Sequence, residues 1–272
     1  MTDYEKNSIL IHVKREMRMP KFFTTNIEGD RIVIDSEDVA HIKRVLRLDC
    51  GSRITVCDGK GVDYAAQIVE MGEGKIVCRV LERHAAQTEP ELKVTLFQAL
   101  PKAAKMEYII QKTTELGISK IVPCVLRRCV VRLDGKKAEE KKTARWQKIA
   151  QEAAKQSGRG IVPEVAEPVS FAQALEMMQE ADICFAPYEC EEQTTLKQTL
   201  TAAEQPKKVS FMIGPEGGFD PEEAAQLKGC GVTTVTLGRR ILRTETAGEA
   251  VLAMVMYELG DINASWESGI TE

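Results

Sequence analysis

The sequence predicts an α/β protein in two parts, a small β-rich module followed by a larger domain built on a parallel sheet. The first half carries short strand-like runs between turn signals, whereas the second half alternates strand-like and helical segments. Two loops in the second half, IGPEGG at 213–218 and LGRRILRTETA at 237–247, each follow a β-branched run. Because ligands bind at the carboxyl ends of parallel strands, these loops predict a binding pocket that reads its ligand through main-chain groups.

The first module is predicted from four strands and one helix. The strands are RIVID, RITVCD, YAAQIVEM and KIVCRVLER, between Arg31 and Arg83, with turn signals at 58–61 and 72–74. A helix is expected from Glu37 to Leu46, with Ser36 as its N-cap. Strands this short and closely spaced indicate a small barrel or sandwich. A polar linker is expected from His84 to Pro90, and residues 1–18 are interpreted as a flexible leader.

The second domain begins with a strand at 94–100 and a helix from about Ala103 to Leu116 that ends at Gly117. The apolar face of that helix recurs at helical spacing, at Met106, Ile109, Ile110 and Thr113. Further strands are expected at 118–125, 182–187, 209–213 and 232–237. Further helices are expected near 138–156 and 192–202, after the N-cap signal Asp220-Pro221, and from about Thr246 to Leu259.

Composition excludes several classes of protein. The chain has 272 residues, 43% of them hydrophobic, and no apolar stretch approaches the ~20 residues that span a bilayer. The amino terminus lacks a signal-peptide core, so a cytoplasmic protein without a membrane partner is expected. The eight cysteines form no C-x-x-C pair and there are three histidines, so no metal site is expected. Neither signature loop fits a Walker or dinucleotide-binding fingerprint.

Charge is distributed unevenly along the chain. Residues 120–159 contain twelve Lys/Arg and four Asp/Glu, a local charge of +8, whereas residues 160–205 contain one Lys and nine Asp/Glu, a local −8. The net charge of −4 argues weakly against a nucleic-acid partner. The asymmetry permits a basic face that attracts phosphates, and it is equally typical of a solvated helix face.

Four segments of the second half resemble those of a known family. Two are the signature loops, and the other two are KMEYIIQKTTELGISKIVP (105–123) and RWQKIAQEAAKQSGR (145–159). In the first half, MPKFF (19–23) and HIKRVLRL (41–48) add to the resemblance. Together they resemble the SPOUT class of S-adenosylmethionine-dependent RNA methyltransferases, and more narrowly the bacterial RsmE family of 16S ribosomal RNA uridine-N3 methyltransferases. Two positions depart from the family pattern: Arg239, where proline is frequent, and Cys129, where serine is frequent.

The resemblance implies a PUA-like RNA-binding barrel over residues 19–88 and a SPOUT α/β methyltransferase domain over 91–272 with a deep trefoil knot. It also implies a homodimer, S-adenosylmethionine as cofactor, and 16S ribosomal RNA of the small ribosomal subunit as partner. The implied cofactor-binding residues are Gly214, Pro215, Glu216, Gly217, Gly218, Leu237, Gly238, Arg240, Ile241 and Leu242.

The chemistry of uridine-N3 methylation suggests roles for three further groups. Deprotonation of N3 places negative charge on the uracil oxygens, which a cation stabilises. Arg243 is the first candidate for that cation and Arg240 the second. Glu216 and Glu245 could each act as a base, bind a cofactor hydroxyl, or hold the loop backbone. Phosphate contacts are expected from Arg18, Lys21, Lys43, Arg44, Arg47, Arg127, Arg128, Arg132 and Arg159.

Three alternatives remain open on the sequence. A SPOUT methyltransferase acting on transfer RNA or on a ribose 2′-hydroxyl would keep the cofactor and change the substrate. A non-catalytic RNA-binding or ribosome-assembly factor would keep the fold alone. A metabolic enzyme with a phosphate-binding GPEGG loop would bind neither RNA nor S-adenosylmethionine.

Overall fold

The structure is a computed structural model that describes residues 20–35, 37–131 and 135–262. The chain forms two compact units. Of the described residues, unit 1 contains those up to Thr88 together with Gly158–Ile161, and unit 2 contains all the others. The predicted leader and the predicted N-cap Ser36 lie outside the described residues.

Unit 1 is built on a six-stranded sheet that curls into an open barrel. Its strands are β1 (Lys21–Phe23), β2 (Ile27–Glu28), β3 (Arg31–Ile34), β4 (Arg53–Cys57), β5 (Val62–Met71) and β6 (Ile76–Ala85), in the order β1-β4-β5-β6-β3-β2. The two edge strands, β1 and β2, are separated by residues 24–26 alone, which span at most about 14 Å. A flat sheet of this size would be about 24 Å wide. The sheet must therefore curl, which brings its two edges to within about 14 Å of each other.

The strands predicted in unit 1 are confirmed, and the helix is confirmed in place. Helix α1 runs over Asp38–Ala40 and continues as a π-helical turn over His41–Val45. Its buried residues Val39 and Ile42 pack in the barrel core. Strand β6 continues to Ala85, so the first residues of the predicted linker belong to a strand.

A short segment from the second half of the chain belongs to unit 1. The Lys21 ammonium pairs with Asp63 at 2.8 Å and donates to the Gly158 carbonyl oxygen at 3.2 Å. The Cys57 thiol donates to the Gly160 carbonyl oxygen at 3.1 Å. Burial raises the pKa of Cys57 to about 12, so the thiol keeps its proton and remains a donor. Contacts this distant in sequence leave no local pattern that could predict them.

Unit 2 is built on a parallel sheet, as predicted. Its strands are β7 (Lys93–Ala99), β8 (Lys120–Val125), β9 (Glu164–Val165), β10 (Val169–Ser170), β11 (Ile183–Pro187), β12 (Lys208–Ile213) and β13 (Thr233–Val235). The order is β10-β8-β7-β12-β11-β13, with β9 also paired to β8, and every pairing is parallel. Hydrophobic clusters form on both faces, as a parallel sheet covered by helices requires.

Six helices cover this sheet in the described part of unit 2. They are α2 (Lys105–Glu115), α3 (Lys136–Ser157), α4 (Phe171–Met178), α5 (Leu196–Thr201), α6 (Pro221–Gly229) and α7 (Thr244–Glu258). The predicted face of α2 is buried, and Gly117 follows that helix with a φ of +93°. Asp220 caps α6 in a capping box with Glu223, so the predicted start of that helix is confirmed.

Two helix predictions need correction. Helix α4 was missed, although Ser170 and Gln173 form the capping box that precedes it and provide its sequence signal. Helix α5 begins at Leu196, four residues later than expected, because Thr195 and Gln198 form its capping box. The threading of α7 through a knot stays a prediction. No helix in the described ranges is long and apolar enough to cross a membrane.

Candidate active site

A cleft of about 1110 Å³ opens at the carboxyl edge of the parallel sheet in unit 2. The loops that follow β11, β12 and β13 line it, and so does the first turn of α7. The two signature loops therefore meet, as the sequence predicted, and all ten predicted cofactor-binding residues line the cleft. Its volume is at the upper end of the ~300–1,000 Å³ typical of small-molecule sites.

The GPEGG loop leaves β12 in a tight turn that depends on glycine. The Gly218 amide donates to the Pro215 carbonyl oxygen at 2.9 Å, and Gly218 has a φ of +68°. A Cβ atom on Gly218 would meet the carboxylate of Glu189, the end of a flexible and exposed side chain that can move aside. The positive φ therefore favours glycine here, and the backbone is left accessible to a ligand.

A buried hydroxyl connects the loop to the helix that follows the second signature. The Thr244 hydroxyl donates to the Gly214 carbonyl oxygen at 2.8 Å and accepts from the Gln98 side-chain amide at 2.9 Å. Gln98 lies in β7 and is fully buried. Strand, loop and helix are thus fixed together by one threonine. A polar residue in the apolar run VTLFQAL was the sequence signal for this contact, and the prediction missed it.

Lys105, which the sequence analysis did not single out, lies between the two predicted acidic residues. Its ammonium is 3.1 Å from a carboxylate oxygen of Glu216 and 3.1 Å from one of Glu245. Glu216 also accepts from the Lys102 amide at 3.0 Å. Glu216 lines the cleft and Glu245 lies beside it in the first turn of α7, and we refer to the pair as the cleft glutamates. One lysine at the start of α2 therefore holds both signature loops.

These contacts determine the ionisation of the group. Burial opposes ionisation of Glu216, but the Lys102 amide and the Lys105 ammonium outweigh it, and the pKa of Glu216 is lowered. The pKa of Glu245 is lowered in the same way: burial opposes ionisation, and its own backbone amide, Lys105 and the Arg243 charge outweigh it. The hydrogen bond to Glu216 leads the causes that raise the pKa of Lys105. Glu216, Glu245 and Lys105 are therefore all ionised at neutral pH, and the two carboxylates are poorly suited to accept a proton.

The second signature loop has a buried and an exposed part. Leu237 and Leu242 pack partly buried against the core cluster, whereas Arg240 and Ile241 are exposed. Arg243 is exposed at the N-cap position of α7 and lines the cleft. Gly238 has a φ of +92°, and no atom lies within 4 Å of the position that its Cβ would take.

An acidic loop that the sequence analysis missed forms another wall of the cleft. Glu189, Glu191 and Glu192 follow β11 and all line the cleft. Glu191 accepts from the Thr234 hydroxyl at 2.7 Å, and this bond leads the causes that lower its pKa to about 2. Glu189 and Glu192 are exposed to the cleft. The acidic stretch at 160–205 was the available signal, although charge alone did not locate a site.

Comparison with known proteins identifies the family. The sequence profile described as "RNA methyltransferase domain" matches residues 88–256, and that described as "RNA methyltransferase PUA domain" matches residues 34–81. The first match covers more than half of the chain and includes the whole cleft. The chain belongs to the RNA methyltransferase family. The predicted fold class, a PUA-like module followed by an α/β methyltransferase domain of the SPOUT class, is thereby confirmed.

Three similar proteins carry a more specific description. Ribosomal RNA small subunit methyltransferase E of Bacillus subtilis is 39% identical over 235 residues, which cover 85% of this chain and 91% of that protein. The protein of the same name from Mycobacterium bovis is 30% identical, covering 90% and 91%. The crystal structure of ribosomal RNA small subunit methyltransferase E from Neisseria gonorrhoeae, bound to S-adenosyl methionine, is 32% identical with a TM-score of 0.79, covering 90% and 99%.

Of the predicted phosphate contacts in unit 2, Arg128 supports the GPEGG loop and Arg127 supports the start of α6. The Arg128 guanidinium donates to the Gly217 carbonyl oxygen at 2.9 Å. Arg127 pairs with Glu222, and its backbone amide donates to Glu223 at 2.8 Å. Both side chains remain partly exposed, so contact with RNA as well stays a prediction.

Three residues predicted to contact phosphates are buried or paired in the structure, and their contact with RNA stays a prediction. Arg159 is 4% exposed, so its guanidinium cannot reach a phosphate without leaving its place in unit 1. Lys21 is committed to Asp63 and Gly158, and Lys43 donates to the Gly72 carbonyl oxygen. Each ammonium therefore already has protein partners. Arg44 and Arg47 are exposed as expected, whereas Arg18 and Arg132 lie outside the described residues.

Proposed function

We propose that the protein transfers a methyl group from S-adenosylmethionine to N3 of a uridine in 16S ribosomal RNA of the small subunit. The observation that carries the proposal is the cleft, where both signature loops meet at the carboxyl edge of the sheet. The similarity to a methyltransferase solved with S-adenosyl methionine supports the cofactor. The similarity to two proteins named for the small-subunit ribosomal RNA supports the substrate.

The residues of the cleft fit this cofactor. Main-chain groups of Gly214, Gly217 and Gly218 are accessible where no side chain intervenes, and Leu237 and Leu242 offer an apolar surface. The acidic loop supplies negative charge, which suits a ligand that carries a sulfonium and an amino group. When bound, the cofactor supplies an electrophilic methyl group.

We assign stabilisation of the uracil anion to Arg243. As N3 loses its proton, negative charge spreads onto O2 and O4, and an exposed cation in the cleft lowers the energy of that state. Substitution Arg243→Gln should lower kcat by about 10²–10³-fold while the cofactor Kd is unchanged. The control is Arg243→Lys, which keeps a positive charge at the same position.

The cleft glutamates are assigned to positioning rather than to proton abstraction. Their lowered pKa makes them weak bases, and each already pairs with Lys105. They hold the GPEGG loop and the first turn of α7 in register, which fixes the position of Arg243. Of the roles left open by the sequence, this one agrees with their contacts.

Methyl transfer from labelled S-adenosylmethionine tests the proposal directly. The substrates are small ribosomal subunits that lack the modification, naked 16S RNA and transfer RNA, and the product is mapped by mass spectrometry. Label on a single uridine N3 of the subunit is expected. Label on transfer RNA or on a ribose hydroxyl alone would overturn the substrate. No label, together with no cofactor binding by calorimetry, would refute the enzymatic function.

We also propose that the protein acts in the cytoplasm as a homodimer, with residues 19–88 as the RNA-binding module and 91–272 as the methyltransferase domain. An apolar groove of about 430 Å³ between α5 and α7 supports the dimer. Leu196, Leu200 and the exposed side chains of Met254, Tyr257 and Ile262 line it. Substitution Tyr257→Glu should shift the protein toward monomer in analytical ultracentrifugation, and an unchanged mass would argue against this face.

A further inference from the structure

The tip of the second signature loop exposes an apolar side chain among cations. Ile241 is 88% exposed, the largest exposure among the large hydrophobic residues that the structure describes. Arg239, Arg240 and Arg243 surround it in sequence, and all three are exposed. By contrast, Leu237 and Leu242 pack against the core. The apolar contact available inside the cleft is therefore made by the two leucines, and Ile241 points away from the core.

The charges at the tip are not used by the protein itself. Within the described ranges, neither Arg239 nor Arg240 has an ion-pair partner. The arginines at 127 and 128, which lie nearby in unit 2, are paired with acidic residues of α6 and its N-cap. The cleft is thus divided, with glutamates on the loop after β11 and unpaired arginines on the loop after β13. A cationic cofactor suits the first wall, and a polyanion suits the second.

We propose that Arg239, Arg240 and Ile241 form an RNA-contacting tip, at which the arginines bind phosphates that flank the target uridine and Ile241 packs against an unstacked base. A single-stranded RNA segment presents alternating charge and apolar ring surface, the combination that this tip complements. The inference rests on the proposed function, deepens it, and transfers Arg240 and Ile241 from the cofactor site to the RNA site.

Salt dependence separates the two kinds of contact. Each phosphate contact to single-stranded RNA contributes about 0.7 to the slope of log affinity against log salt. The double substitution Arg239→Gln/Arg240→Gln should therefore reduce the slope by about 1.4. Ile241→Ala should weaken binding about five- to tenfold through lost apolar contact and leave the slope unchanged. The matched control is Lys207→Gln/Lys208→Gln, an exposed cation pair at the opposite, amino edge of the sheet.

The experiment measures binding of an in vitro-transcribed 16S ribosomal RNA across a KCl titration by filter binding, and binding of S-adenosylmethionine by calorimetry. We expect the slope to change in the arginine variant alone, and cofactor affinity to remain unchanged in both tip variants. The proposal is refuted if the tip variants leave RNA affinity and its salt slope unchanged, or if Ile241→Ala weakens cofactor binding. It is also refuted if the lysine control changes the salt slope as much as the arginine variant does.

The outcome is independent of the proposed reaction. If the wild-type protein transfers no methyl group but the salt slopes change as expected, the RNA-contacting tip is supported and the proposed reaction is refuted. If the wild-type protein methylates the RNA and the salt slopes do not change, the proposed reaction is supported and the RNA-contacting tip is refuted. Thermal unfolding checks the fold of each variant, and no shift is expected since these exposed side chains are not part of a core cluster.

Discussion

The Thr244 hydroxyl offers the sharpest test of how the cleft is assembled. Thr244→Val keeps the shape of the side chain and removes both hydrogen bonds, to Gly214 at 2.8 Å and from Gln98 at 2.9 Å. Thr244 is 5% exposed and Gln98 is fully buried, whereas Gly214 is partly buried and lines the cleft. The Gln98 amide keeps its bond to the Ala99 carbonyl oxygen at 3.0 Å, whereas the Gly214 carbonyl loses its bond to the threonine.

The expected loss of stability follows from these contacts. Each net hydrogen bond contributes about 0.5–1.5 kcal/mol, and the substitution removes two of them. We expect Thr244→Val to lower the free energy of unfolding by about 1–3 kcal/mol. Thr244→Ser is the matched control, because it keeps the hydroxyl and removes one methyl group, which contributes about 0.8 kcal/mol.

Urea denaturation measures the difference in the free energy of unfolding between the two variants. Calorimetry with S-adenosylmethionine measures how each substitution affects cofactor binding in the cleft. We expect weaker cofactor binding in the valine variant, because Gly214 begins the loop that lines the site. If the valine and serine variants unfold within about 0.5 kcal/mol of each other, the hydroxyl does not hold the loop and the reasoning is refuted.

Three further predictions concern neighbouring contacts. Ionised cleft glutamates stabilise the fold above the ordinary glutamate pKa of about 4.3, and this contribution is lost as the pH falls through their lowered folded-state pKa. Urea unfolding over a pH series measures this loss. Lys105→Met should reduce the fall in the free energy of unfolding at acid pH, and Lys105→Arg should retain it. The same pH dependence in both variants would contradict the ion pairs. Gly218→Ala should lower the free energy of unfolding by about 1–2 kcal/mol because of its positive φ, whereas Gly229→Ala, inside helix α6, should be neutral or stabilising. Equal urea midpoints for the two variants would count against the tight turn. Asp220→Ala should lower the free energy of unfolding by about 0.5–2 kcal/mol, because it removes the N-cap of α6, whereas Asp220→Asn should lower it much less. If both variants lose equal stability in thermal unfolding, capping is not the role of Asp220.

Local patterns were sufficient for most of the architecture. Alternation of strand and helix gave the parallel sheet of unit 2, and the Asp220-Pro221 signal gave the start of α6. The two wrong helix predictions also concern local signals. The capping box Ser170/Gln173 marks the start of α4, and the capping box Thr195/Gln198 marks the start of α5. Both signals lie within four residues of the helix that they begin.

The roles of individual side chains were less predictable, because they depend on burial. Lys21 and Arg159 were assigned to RNA from their charge, and in the structure the first is paired and the second is buried. Ile241 was assigned to the cofactor from its neighbours, and it is 88% exposed, whereas the hydrophobic residues Leu237 and Leu242 of the same loop are partly buried. A residue type indicates what a side chain can do, but its surroundings decide whether the group is available.

The sequence by itself determined the two-part organisation, the positions of most helices and strands, and the two loops that line the cleft. These features follow from periodicity, capping and turn chemistry, which act over a few residues. Only the tertiary structure decided that Gln98, Thr244 and Gly214 form one chain of hydrogen bonds, and that Lys105 serves both cleft glutamates. The physical reason is that these partners are separated by roughly 30 to 150 positions in the sequence, so only the packing of the complete sheet brings them within hydrogen-bonding distance.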